Sequence, residues 1–169
     1  MSIRWIQFPL HPETPQKGLS LEELFAGRDL DIQAIQGHLI ELMRLEGLPY
    51  GNRTHTYNSR LAQELSKWGE RFSESSMLNQ KIFEAYFVDG KNLADQDLLA
   101  KLAGEAGLST QEATEVLGNR LYKEAVDIDW MRSRQTGISG VPTFVIGQYR
   151  IAGAKSYKML EQFVVKNTF

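Results

Sequence analysis

Cysteine is absent from all 169 positions. That absence excludes structural disulfides, thiolate metal sites and any cysteine nucleophile within the chain. Histidine is scarce as well. His11, His38 and His55 lack the spacing that metal ligands share, so each reads as a surface or half-buried side chain and no metal is expected. The sequence carries no glycine fingerprint for nucleotide phosphates, no serine elbow and no zinc-helix motif. No apolar run approaches the ~20 residues of a membrane span. A net charge of −2 offers nothing to attract nucleic acid or an anionic membrane surface. The opening residues Met1 to Ile6 do not follow the basic, apolar, small-residue order of a signal peptide, and the expected address is the cytoplasm.

What is present is an ordinary globular composition, 42% hydrophobic and 24% charged, in a chain long enough for one domain with a core. Ile3 to Phe8 reads as a sheet-interior strand, because apolar residues fall on both faces. Pro9, Pro12 and Pro15 then make residues 9–19 an extended connection. Ser20 to Glu23 has the form of a capping box. Helical spacing follows over Asp31–Glu46, Asn58–Phe72 and Ser76–Val88, with apolar stripes assigned to a core. Asp95 caps a further helix that ends at Gly107. Ser109 to Glu112 is a second capping box, opening a long helical region to about Gln135 with a candidate irregularity at Asp127-Ile128-Asp129. Ser156 caps a last helix.

The stretch Gly137 to Gly147 holds a proline at the mouth of the most strand-like run in the chain. Thr143 to Ile146 are β-branched or aromatic throughout, Gly147-Gln148 allows a turn, and Tyr149 to Ala152 reads as the partner strand. Proline cannot donate to a ladder and so belongs at the first residue of a strand. That leaves the backbone of Gly140 and Val141 without an obvious ladder partner. From base rates alone a trans Val141–Pro142 bond is the ordinary reading. Asn58 and Arg60 read as a helix cap and a solvated charge. Lys155 and Arg150 read as surface cations that could alternatively meet a carboxylate. Tyr50, Tyr57 and Trp68 read as core or rim aromatics, or as the lining of a groove beside the proline.

Taken together, Ile3 to Pro12, Gly47 to Tyr50, Tyr57 to Ala62, Lys81 to Phe87, Gly137 to Ile146 and Gly153-Ala154 resemble, in one order, the DsbA family of the thioredoxin fold, and within it the FrnE-like branch. The resemblance implies an α/β, thioredoxin-like fold. Residues 1–169 would form a single domain, with a helical insertion over about 20–135 between strand 3–8 and hairpin 143–152. It also implies a cis bond at Pro142. The backbone of Gly140, Val141, Pro142 and Thr143 would there pair with an extended substrate segment or with glutathione. Asn58, Arg60 and Lys155 are accessory candidates. The chain departs from the family at Gln63, where histidine is common, and at Lys155, where glutamine is usual. More consequentially, family members begin with a further strand and a Cys-x-x-Cys helix. The fold is therefore expected to be truncated at its first core strand, as a shortened reading of a longer protein. A homodimer is expected to cover the strand edge left open at Ile3–Phe8.

The implied function is thiol–disulfide oxidoreductase or isomerase chemistry on protein or peptide thiols. The chain by itself would be redox-inactive, with no catalytic residue of its own, because exchange requires a thiolate. The alternatives are a glutathione-dependent transferase or isomerase of the kappa or hydroxychromene-carboxylate type, and a non-catalytic peptide-binding module. No cofactor is implied, although glutathione is a candidate substrate or ligand. Nucleic acid and membrane are not expected partners.

Overall fold

Leu61, Leu65 and Trp68 recur at helical spacing, and that stripe becomes the centre of the larger of two units. The computed structural model describes residues 3–168, and they divide into residues 11–126 and residues 3–10 with 127–168. The larger unit opens with β1 (Leu19–Ser20), α1 (Leu21–Leu24), α2 (Ile32–Leu45) and β2 (His55–Thr56). α3 (Arg60–Gly69), α4 (Ser75–Phe87), α5 (Gln96–Glu105) and α6 (Thr110–Gly118) complete it. α7 (Lys123–Gln135) runs across the division, and β3 (Thr143–Ile146), β4 (Tyr149–Ala152) and α8 (Tyr157–Thr168) follow.

Side chains that accept orphan amides set most helix starts. Ser20 and Glu23 form a reciprocal capping box at α1, Asp31 accepts from Ala34 N at α2, and Asp95 accepts from Asp97 N and Leu98 N at α5. At α6 Ser109 accepts from Glu112 N, which is the serine half of the expected second box. α3 to α6 then pack around Leu65, Leu78, Leu99, Ala103, Ala113 and Leu117, all 0% exposed, with Trp68 at 1%. The connection through residues 9–19 ends in a short antiparallel bridge, Leu19 opposite Thr56 and Ser20 opposite His55.

The structure corrects three expectations. Ile3–Phe8 joins no strand ladder among the described residues. Ile3 is 75% and Trp5 52% exposed, and the Gln7 amide finds the Asp129 carboxylate (3.0 Å) in place of a neighbouring strand. A two-sided apolar pattern does not make a strand when no edge is offered to it. The long helix expected from Ser109 to Gln135 is two helices. It breaks at Asn119–Tyr122, where Arg120 takes a left-handed φ of 53°, while Asp127 to Asp129 lie inside α7 without irregularity. The apolar stripes are not all core. Met77, Phe83 and most apolar residues of α2 are exposed, because helical spacing fixes which residues share a face but not whether anything covers it. Trp68 is core, whereas Tyr50 stacks on Phe87 and Tyr57 on His55 within the larger unit.

The smaller unit is differently built. β3 and β4 pair antiparallel, Thr143 opposite Ala152 through Ile146 opposite Tyr149, with the two-residue turn Gly147-Gln148 between them. α8 packs on β3. Among the described residues of this unit no apolar side chain is fully buried. Hydrophobic stabilisation is therefore concentrated in α3 to α6. Leu65→Ala should lower the unfolding free energy by about 2–5 kcal/mol, measured by chemical denaturation, since it deletes a fully buried side chain and leaves a cavity.

Candidate functional site

The loop before β3 takes its geometry from the end of α7. Gly137, at a φ of 66°, closes that helix: its amide donates to Arg134 O (3.0 Å), and Ile138 N donates to Ser133 O (2.9 Å). Arg150, on β4, donates to Thr136 O at 2.7 Å and to Gly137 O at 3.4 Å. Its guanidinium thus ties the hairpin to the freed carbonyls of the helix end.

From that anchor the chain passes through Ser139 and Gly140 to a cis Val141–Pro142 peptide. Thr143 Oγ1 donates back to Gly140 O (2.7 Å), closing the loop on itself. The Gly153 amide donates to Pro142 O (2.8 Å), extending the β3–β4 ladder by one pair beyond Thr143 and Ala152. In an antiparallel ladder hydrogen-bonded and non-hydrogen-bonded pairs alternate. With Pro142 bonded toward β4, the amide and carbonyl groups of Val141, Thr143 and Val145 point away from β4, along the outer edge of the hairpin. No described strand pairs with that edge. Val141 is 48% exposed, and among the described residues its N–H and C=O take no hydrogen bond within the chain. The other loop residues are Gly140, half-buried, Pro142, exposed, and Thr143, half-buried.

Lys155 belongs to the same neighbourhood. Gly153 sits at a φ of 83°, and a Cβ placed on it would lie 3.9 Å from the Lys155 ammonium nitrogen. The cation therefore rests beside the residue that bonds Pro142. A backbone edge with both donors and acceptors open, next to one ammonium group, can pair with an extended chain that ends in or carries a carboxylate.

Asn58 and Arg60 lie in the larger unit, with Gln16, Leu61, Ala94 and Arg120 around a cleft of about 170 Å³. Their hydrogen bonds are structural. Asn58 Nδ2 donates to Thr14 O (2.8 Å) and Pro12 O (3.3 Å), and its Oδ1 accepts from Arg60 N (2.9 Å). It thereby fastens the proline-rich connection to the start of α3. Arg60 donates to Glu64 Oε1 (2.7 Å) and Lys123 O (2.7 Å).

Glu64 was not singled out by the sequence, yet it organises this corner. The carboxyl is 1% exposed and accepts from Arg60 and, through both oxygens, from Arg120 at 2.7–2.8 Å. Burial pushes its pKa up, but the hydrogen bonds and charge of Arg120 and Arg60 outweigh that and hold it below the ordinary value. The Arg60–Glu64 spacing of four is legible on a helix. The partnership with Arg120, 56 residues on, has no local signal. Among the described residues no three His, Asp or Glu side chains gather as a metal site would require.

Comparison with known proteins bears on the whole arrangement. Residues 1–165 match the DSBA-like thioredoxin domain family. An uncharacterized protein of Bacillus subtilis (strain 168), YwbO, is 30% identical over 111 residues, which is 65% of this chain. The chain spans just over half of that relative, 55% of its length. A probable DsbA oxidoreductase from Streptomyces coelicolor superposes with a TM-score of 0.85 at 23% identity, covering 93% of this chain and 71% of the other. A 2-hydroxychromene-2-carboxylate isomerase superposes at 0.71 with 19% identity, covering 80% and 66%. A putative protein disulfide isomerase from Nitrosomonas europaea does so at 0.68 with 19% identity, covering 88% and 75%. At these identities the superpositions establish the fold.

The Glu64 cluster gives a prediction of its own. Glu64→Gln should cost toward the lower end of about 3–5 kcal/mol, because Arg60 is left largely buried without its countercharge while the more exposed Arg120 is partly resolvated. The sign with pH follows from the lowered folded-state pKa. The carboxylate contributes in full above its ordinary 4.5 and loses that contribution as pH falls through the lower folded value. Denaturation series from pH 7 to pH 3 should show the variant losing less stability on acidification than the parent chain.

Proposed function

This chain belongs to the DSBA-like thioredoxin domain family, and from that premise we propose that it carries the substrate-binding edge of a thiol–disulfide oxidoreductase without the thiols. The observation that carries the reading is the outward-facing amide and carbonyl of Val141, held there by the Gly153–Pro142 hydrogen bond. An extended peptide, or the backbone of glutathione, adds to the hairpin as a further strand through Val141 and Thr143. Lys155 stands where a carboxylate of the ligand would lie. Gly140 gives the loop its close approach, and Pro142 supplies the carbonyl that turns the neighbouring groups outward. Asn58 and Arg60 have no ligand role in this reading, since their bonds maintain the start of α3.

Exchange with a disulfide needs a thiolate to attack sulfur, and this sequence has none. Alone, the chain binds without turning over. The segments it shares with the FrnE-like branch support assigning it there within the family, and we assign it to the cytoplasm, where glutathione keeps thiols reduced. Among the described residues no helix is long and apolar enough to cross a membrane. A second reading, glutathione-dependent isomerisation, is supported by the fold it shares with the hydroxychromene-carboxylate isomerase. It differs in needing glutathione specifically rather than any extended chain.

Calorimetric titration separates these readings. An extended, uncharged octapeptide and S-methylglutathione should both bind. N-methylation of the peptide amides that face Val141 should weaken binding by up to about tenfold per bond, the equivalent of about 0.5–1.5 kcal/mol. Binding of S-methylglutathione alone would favour the isomerase reading, and binding of neither would defeat both. In an insulin-reduction assay with dithiothreitol the purified chain should match buffer; turnover above buffer would contradict the account.

A further inference from the structure

His11 begins the larger unit with an unusual backbone. Its φ of 55° lies in the left-handed region, uncommon for any residue but glycine and disfavoured ahead of a proline. Thr14 N donates to His11 O (3.2 Å) and holds this turn. The imidazole is half-buried and meets the Phe25 ring edge-on, with centroids 6.2 Å apart. The guanidinium carbon of Arg28 lies 5.8 Å over the same ring. The backbone brings Arg53 to this corner. Leu21 N donates to Thr54 O at 3.0 Å, so the residue ahead of β2 runs beside α1, which Phe25 closes. Arg53 is half-buried, with its guanidinium over Tyr86 at 5.0 Å and Phe87 at 5.8 Å. Its Nη1 donates to the Tyr86 hydroxyl, and its Nε is buried with no partner among the described residues.

We propose that His11, Arg28 and Arg53 bind the phosphate group of a small soluble ester. The first support is charge. Among the described residues none of the three has a carboxylate at ion-pair distance, whereas Arg44, Lys67 and Lys101 each hold one. The chain as a whole is acidic, at −2, so this corner runs against its average. Two guanidiniums that both act on one imidazole, with no countercharge paired to either, raise the cost of each other's charge, and a bound dianion removes that cost. The second support is the state of His11. Burial, and then the charges of Arg28 and Arg53, push its pKa below the ordinary 6.5. The imidazole is therefore neutral in the free site near pH 7 and takes up a proton when an anion arrives. Three cationic donors from three segments match a tetrahedral oxyanion better than a planar carboxylate. The third support is rigidity. Phe25, Tyr86 and Phe87 hold the two guanidiniums by their faces, so little ordering remains to be done on binding. Only Arg28 of the three is exposed, which favours an ester free in solution over a headgroup in a flat lipid surface. The site is independent of the peptide-binding reading, because all its residues lie within 11–126 and none belongs to the proline loop.

The imidazole reports on the site directly. The variant His38→Gln/His55→Gln leaves His11 as the sole histidine. Its NMR titration midpoint should lie below 6.5 in chloride. In saturating sulfate at equal ionic strength the midpoint should rise by about one pH unit, the equivalent of about tenfold tighter anion binding to the imidazolium. Sulfate keeps its charge across this range, which phosphate does not. By calorimetry, glycerol phosphate should bind the parent chain with a Kd of about 1 mM. Arg28→Gln, at an exposed position and with its fold checked by circular dichroism, should weaken that binding about tenfold. Lys101→Gln, which removes an exposed cation on α5, should leave it unchanged. A His11 midpoint that does not move from chloride to sulfate would overturn the proposal. So would equal weakening by Arg28→Gln and Lys101→Gln, or a chain that binds phosphatidylglycerol vesicles and not glycerol phosphate.

Discussion

The hydrogen bond from the Gly153 amide to the Pro142 carbonyl fixes which way the backbone faces on either side of it. A proline contributes no N–H, so this carbonyl is the sole ladder contact Pro142 can make. Once it points to Gly153, alternation turns Val141 and Thr143 outward. Gly153 can serve as donor because its left-handed backbone, at a φ of 83°, carries the chain away from β4 at that point. The turn of Gly147-Gln148 sets the register, and Arg150 ties β4 to the carbonyls of Thr136 and Gly137 just past α7. An edge with open donors and acceptors is ordinarily a liability for a folded protein. Here it coincides with the loop that the resemblance implies for substrate, and on the proposed reading the edge has a use.

Stability and site are separated in the molecule. Most fully buried apolar residues lie in α3 to α6, with Val126 in the first turn of α7, together with the Glu64 cluster that joins α3 to the left-handed turn at Arg120. The unit that holds the proline loop has no fully buried apolar side chain among its described residues. Short hairpins are marginal alone, and this one is supported by α8, by Arg150 and by the Thr143–Gly140 closure. Binding surfaces are commonly drawn from the less stable part of a protein, and the proposed peptide edge fits that pattern.

Much of this was legible from residues alone. The hairpin and its turn follow from β-branched runs around Gly147-Gln148. Most helix starts follow from Ser20, Asp31, Asp95 and Ser109, whose side chains bind amides two or three positions on. The family assignment came from the order of short segments along the chain, none of them specific singly. What sequence did not yield is physical in origin. Ile3–Phe8 has strand character, yet strand formation depends on a partner edge that its own residues do not encode. The break after Gly118 depends on Arg120 reaching Glu64, a contact across 56 positions. The exposure of Ile35, Leu39, Leu42 and Leu45 is equally invisible, since a pattern reports a face and not its cover. Asn58 read from sequence as either a cap or a ligand group; the structure shows both ends of its amide bonded to backbone.

The central claim is that the outward edge at Val141 and Thr143 accepts an extended chain without any thiol chemistry. Amide hydrogen exchange at these two residues, followed by NMR with and without saturating S-methylglutathione or an uncharged extended peptide, tests it most directly. The account predicts fast exchange in the free chain. On binding, protection should appear at Val141 and Thr143, while the Gly153 amide, already bonded to Pro142, changes little. Binding that leaves both edge amides exchanging as fast as before would contradict it.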